Sequence, residues 1–200
     1  MPLNIIDFIY RGVSVIISLA FHELAHGFVS HKLGDPTPKR EGRLTLNPFA
    51  HMDLFGTLCL LFLGFGWAKP VQINPQYYKN KKLGTVLVSL AGPCSNFIQA
   101  FIGLLLIKIL PLVGISYFLS VFVTINISLG VFNLIPIPPL DGSKILYSVL
   151  PEDLYFKYMR YEQYGMFILM ALLITNVLTP ILTIGVSSVY SLFNLILGFI

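Results

Sequence analysis

"GVSVIISLAFHELAHGFVS", residues 12–30, decides how the rest of the chain is read. Residues 12–21 carry no charge, and then His22, Glu23 and His26 follow in the spacing H-E-x-x-H. An apolar run of this kind predicts a membrane helix. A charged group inside one costs about 2.5–3.5 kcal/mol or more, so it persists only with a partner or a task. Two histidines four residues apart share one helix face, a turn apart, and both imidazoles can reach one metal ion. Glu23, next to His22, can touch a metal-bound water without ligating. Zn²⁺ lowers the pKa of such a water to about 7, and a carboxylate base then turns it into a nucleophile. The bland reading is a pair of interior histidines at a helix–helix contact. His31 cannot join them, since two and a half turns place it on the opposite face.

Composition supplies the setting. The chain is 56% hydrophobic and 11% charged, with a mean hydropathy of +0.79. A soluble domain of this size has about 25% charged residues, so the solvent for most of the surface is expected to be lipid. The net charge of +4 sits in loops between apolar runs. That placement suits lipid headgroups and excludes a nucleic-acid partner. Cys59 and Cys94 each lie in an apolar run, where free Cys behaves as a small hydrophobe.

A bilayer core needs roughly 20 apolar residues of helix. In chain order such runs are expected at about 3–33 (first), 83–110 (third), 113–137 (fourth), 164–178 (fifth) and 181–200 (sixth), the second being a shorter apolar run at 54–67 that suits a short or re-entrant segment. The expectation is an all-α polytopic membrane protein of five to six transmembrane helices in one domain, 1–200, with its core at 3–150 and additional C-terminal helices over 161–200. The chain starts directly into the first span, without a basic n-region or cleavage site, so no removed signal peptide is expected. Eleven of the thirteen cationic residues fall between the first and third runs or between the fourth and fifth. By the positive-inside rule those loops are cytoplasmic and the N-terminus is outside. From Asp7 to His22 is ~22 Å of helix, which places the histidines beneath the surface on the cytoplasmic side. Asp7 and Arg11 read as an ordinary i,i+4 pair near the outer end.

A catalytic zinc commonly has three protein ligands and one open position. The candidates for the third are His51, Asp53 and Asp141, with Asp35 a weaker one. Asp141 stands out in "FNLIPIPPLDGS", residues 132–143. Its prolines must break the fourth helix, and irregular backbone at membrane depth is tolerated only inside protein or beside a wet cavity. Asp141 would come in on a loop. The competing role is an Asp N-cap for a following helix. In "LAGPCSNF", residues 90–97, Gly92-Pro93 should kink the third helix, and Asn96 offers an amide deep in the span. That amide reads either as interhelical glue or as a donor to the substrate or an oxyanion. Asn133 raises the same choice, and His51 is a further oxyanion candidate.

HELAH on the first helix, AGPCSN on the third and NLIPIPPLDG after the fourth together resemble the site-2 protease family of intramembrane zinc metallopeptidases, in its compact form without PDZ or CBS domains. The segments 34–57 and 66–75 resemble the linking region of that form. The resemblance implies His22, His26 and Asp141 as ligands of one zinc per chain, Glu23 as general base, Asn96 as a substrate-positioning residue, and a three-helix catalytic core. The partners it implies are a transmembrane segment of a protein substrate and the lipid bilayer. A membrane metal-binding or transport protein without hydrolytic activity is the alternative reading. Glu23 separates the two, because a transport site gains nothing particular from a non-ligating base.

Overall fold

The first helix of the computed structural model, α1 (Ile5–Lys32), turns a polar ridge inward. Ser14, Ser18, His22, His26 and Ser30 recur every four residues and are all buried, while Phe8, Phe21 and Phe28 are exposed. A water-soluble helix does the reverse. In lipid, apolar side chains gain nothing by burial, and small or polar residues make the contacts between helices. The structure describes residues 5–53, 56, 69–110 and 113–198. The expected short or re-entrant run at 54–67 lies outside the described residues except for Gly56.

The helices following α1 are α2 (Thr37–Arg40), α3 (Lys81–Ile109), α4 (Val113–Asn133), α5 (Asp141–Ile145), α6 (Glu152–Met159), α7 (Glu162–Ile174) and α8 (Thr179–Gly198). No strand occurs among the described residues. Helices α1, α3 and α4 pack against one another, and α8 lies along α4. α3 faces its neighbours with small residues: Ser89, Gly92, Ala100 and Gly103 are buried. Its helix runs on through Pro93 from Lys81 to Ile109.

α4 ends at Asn133, four residues before the expected end, because the proline cluster begins at Pro136 and no residue just ahead of it can extend a helix. The chain then turns back so tightly that a Cβ on Gly142 would lie 2.3 Å from the Leu134 carbonyl oxygen. Only glycine fits there. That close approach brings α5 under the end of α4.

Among the described residues four helices, α1, α3, α4 and α8, have the length and hydropathy of a membrane span, as an all-α polytopic fold requires. α7 has 13 residues, about 20 Å of helix and shorter than a bilayer core. Gly165 near the start of α7 packs on Pro138, and Leu178, just ahead of α8, clusters with Ile135 and Leu140, so the segments before and after the middle of α7 both lie against the chain beyond the end of α4. At the other end Asp7 accepts from the Tyr117 hydroxyl, rather than pairing with Arg11, and Lys108 donates to the Leu197 carbonyl.

Candidate metal centre

Three ligand atoms converge between α1 and the start of α5. His22 Nε2 and His26 Nε2 lie 3.0 Å apart, and Asp141 Oδ2 is 3.2 Å from the first and 3.1 Å from the second. No other group of three His, Cys, Asp or Glu side chains among the described residues comes together in this way. The spacing of the histidines is a property of one helix. Asp141 is a matter of tertiary structure: it arrives across 115 residues of chain, carried by the Gly142 turn. Leu140 is the N-cap of α5 and Asp141 its first helical residue, so Asp141 sits neither on a loop nor in the capping position.

Each imidazole is held from behind. His26 Nδ1 is 2.7 Å from the carbonyl oxygen of Val88, an acceptor only, so Nδ1 carries the proton and the lone pair of Nε2 faces the site. His22 Nδ1 is 2.7 Å from Asn96 Oδ1. Gly92 makes this possible. A Cβ there would stand 2.4 Å from His26 Nε2 and 2.6 Å from His22 Nε2, so α3 can pass this close to the two Nε2 atoms only with a hydrogen at that position. Burial alone would raise the Asp141 carboxyl, but the facing imidazoles of His26 and His22 outweigh it and hold the group below the usual carboxylate range.

The donor set suits zinc. Two imidazole nitrogens and a carboxylate oxygen are among its usual ligands, and zinc–ligand bonds of about 2.0–2.1 Å in a tetrahedron put the ligands about 3.3 Å from one another. The observed 3.0–3.2 Å is close to that.

The three atoms open into a cavity of about 500 Å³. Glu23 lines it, and its Oε2 accepts a hydrogen bond of 3.0 Å from the Val71 N–H. Pro70, Val71 and Ile73 of the linker form one wall and Asn133 of α4 another. Met166, Met170 and Leu173 of α7 and Leu182 and Val186 of α8 close the far side. The last two helices carry no motif, yet they wall the site. Lys144, one turn after Asp141, also reaches the cavity.

Other expected site residues lie elsewhere. Asn96 is fully buried behind His22, and its amide nitrogen donates to Asn126 Oδ1 at 3.0 Å, because α4 offers an acceptor there and the cavity does not. His51 stays in the linker, its Nε2 2.9 Å from the Thr45 carbonyl, and does not line the cavity. Asp53 accepts from the Gly56 N–H. Asp35 is engaged by Ser30, Thr37 and Asn74. Of the three substrate-facing candidates, Asn133 lines the cavity, with its Nδ2 3.0 Å from the Leu129 carbonyl. Sequence reading passed over Asn126, fully buried in an apolar helix. Its signal was an amide seven residues before Asn133, on the same helix face.

Membrane-length helices, a buried His–His–Asp cluster and a carboxylate beside it define a membrane-embedded metallohydrolase. The profile of Peptidase family M50 matches residues 108–176, the part that contains Asp141. A Bacillus subtilis protein, "Putative zinc metalloprotease YwhC", is 40% identical over 98% of this chain and 94% of its own length. Two relatives carry the same description. MJ0611 of Methanocaldococcus jannaschii is 32% identical over 72% of each chain, and Rip2 of Mycolicibacterium smegmatis is 31% identical over 84% of this chain and 70% of its own. No solved structure gives a significant match. The chain belongs to peptidase family M50, the site-2 protease family, and is a multi-pass membrane zinc metalloprotease.

Proposed function

We propose that this chain is an intramembrane endopeptidase that cuts peptide bonds in or near transmembrane segments of other membrane proteins. His22, His26 and Asp141 would hold one zinc per chain, and Glu23 would be the general base. The observation that carries this reading is the meeting of three candidate ligand atoms within 4.8 Å of one another, beside Glu23 in one cavity, with both histidines and Glu23 on a helix long enough to span a membrane. Bound there, the ion supplies Lewis-acid polarisation of a carbonyl and a lowered pKa for water.

The chain's own groups do the rest. The Val71 N–H orients the Glu23 carboxylate, which takes a proton from a water in the cavity and delivers it to the leaving amine. Asn133 is the side-chain amide that faces the substrate, and Asn96 serves His22 instead. The apolar wall from α7 and α8 excludes water and receives apolar substrate side chains. A helical substrate hides its carbonyls in its own hydrogen bonds, so it must unwind locally, and Pro or Gly in it lowers that cost. An extended substrate strand could pair with the linker at Val71–Asn74. The basic linker supports a site near the cytoplasmic face, with the N-terminus outside.

The test is a pair of measurements on protein purified in detergent and in co-expressed membranes. Metal analysis should find about one zinc per chain, lowered in His22→Ala, His26→Ala and Asp141→Ala. Glu23→Gln should keep its zinc and lose cleavage of a single-span reporter by at least 10²–10⁴-fold, the usual contribution of general acid–base catalysis. Activity within a few-fold of wild type in Glu23→Gln would remove the base. Full zinc in Asp141→Ala would remove the third ligand.

A further inference from the structure

The hydrogen bonds behind His22 run in one direction, and a backbone carbonyl sets that direction. Asn126 of α4 is fully buried, and its Nδ2 lies 3.0 Å from the Phe122 carbonyl oxygen. A carbonyl only accepts, so the nitrogen of that amide must point to it, and Oδ1 points the other way. There it meets Asn96 Nδ2 at 3.0 Å. That nitrogen has a second, longer acceptor in the Ser18 carbonyl at 3.4 Å. Both neighbours accept, so the Asn96 NH₂ group faces them and its Oδ1 faces His22 Nδ1 at 2.7 Å. An amide oxygen cannot donate, so the proton sits on Nδ1, and a neutral ring then presents the lone pair of Nε2 to His26 and Asp141. The relay joins three helices, from α4 through α3 to α1.

We infer that Asn126 is a positioning residue of the metal centre, acting through Asn96 to hold His22 in the Nδ1–H tautomer. This rests on the reading of His22 as a zinc ligand. Asn126 touches neither the ligand atoms nor the cavity. In the other tautomer His22 would aim a proton, not a lone pair, at the ion. With Asn126 replaced by an apolar residue, the Asn96 NH₂ group keeps only its longer bond to Ser18, and the amide can turn over. His26 needs no such relay, because Val88 supplies a backbone carbonyl directly. The bland alternative is that Asn126 glues α4 to α3. Glue would change stability and leave the tautomer alone.

The experiment uses the full chain in detergent, stripped of zinc with a chelator and labelled with ¹⁵N-histidine. His22→Ala assigns the resonances. In wild type, at a pH where the rings are neutral, His22 should show a protonated Nδ1 and an unprotonated Nε2. In Asn126→Leu the two shifts should move toward each other as tautomers mix. Asn126→Asp should restore the wild-type pattern, since a neutral buried carboxyl can donate to Phe122 and accept from Asn96. Zinc affinity, measured by competition with a chelator, should fall about 10–100-fold in Asn126→Leu, the range for an outer-shell partner. The double variant Asn96→Ala/Asn126→Leu should bind no more weakly than Asn96→Ala, within two-fold. If Asn126→Leu does not fold, Asn126→Ser carries the same comparison. Wild-type shifts in the folded variant, or additive losses in the double variant, would overturn the relay. A wild-type chain that binds no zinc would instead sink the metal reading, while the shifts still decide the relay.

Discussion

A single hydrogen at Gly92 lets α3 pack against the Nε2 atoms of His22 and His26 where they meet Asp141. A methyl group there would lie well inside contact distance of both Nε2 atoms. The nearest atoms belong to imidazoles fixed at Nδ1 by Val88 and Asn96, so they cannot swing away without breaking a buried hydrogen bond. Gly92→Ala should therefore cost about 1–3 kcal/mol of stability, the usual penalty of overpacking. It should also leave zinc content at a small fraction of wild type. Thermal melting and metal analysis check the two. Normal zinc in Gly92→Ala would mean that the helices separate more easily than their packing suggests. At Gly114, where an added Cβ meets nothing within 4 Å, the same change should be silent in both measurements.

Between elements, Asp35 ties the end of α1 to the linker that supplies Val71. Its carboxylate accepts from Ser30 of α1 at 2.9 Å, from the Thr37 N–H at 2.9 Å and from the Asn74 N–H at 2.7 Å. Burial pushes the carboxyl up, but these hydrogen bonds outweigh it and hold the group below its ordinary value. The sign follows. A group whose pKa is depressed in the folded state contributes stability above its unfolded pKa of about 3.9, and loses it as pH falls through the folded value. The melting temperature in detergent should thus hold near pH 6–7 and drop as pH falls below about 5. Asp35→Asn should lower it at pH 7, at a cost of about 1–3 kcal/mol for donors left unpaired. That variant should also show a flatter acid dependence. A wild-type and variant acid slope that coincide would show that this carboxylate is not the linkage.

Across the whole molecule, charge and packing agree on two ends. Lys82 lies over the Tyr147 ring and donates to the Leu150 carbonyl, so the start of α3 and the segment after α4 share one end. Asp7, Tyr117, Lys108 and Leu197 mark the other. In a background with Cys59 and Cys94 replaced, an impermeant thiol reagent should label Lys39→Cys and Lys157→Cys only from the cytoplasm. Gly114→Cys should react only from outside. Labelling of Lys39→Cys and Lys157→Cys from opposite faces would overturn the proposed topology.

The sequence by itself determined what one helix can encode. H-E-x-x-H puts two imidazoles on one helix face with a carboxylate next to the first whatever surrounds them, and apolar runs long enough for a bilayer identify α1, α3, α4 and α8. Proline chemistry foretold that the chain would break near Asp141. Its exact register was beyond the pattern, since α4 stops at Asn133 for want of a residue that can precede Pro136. The proline context also singled out Asp141, but the meeting of that carboxylate with the two histidines is a tertiary contact, while Asp35 and Asp53, chemically alike, are held by other neighbours. Only tertiary structure decided that Asn96 serves His22, that Asn126 stands behind Asn96, and that α7 and α8 wall the cavity. Those roles depend on which atoms meet across helices. Spacing along one helix carries no information about its partner's face.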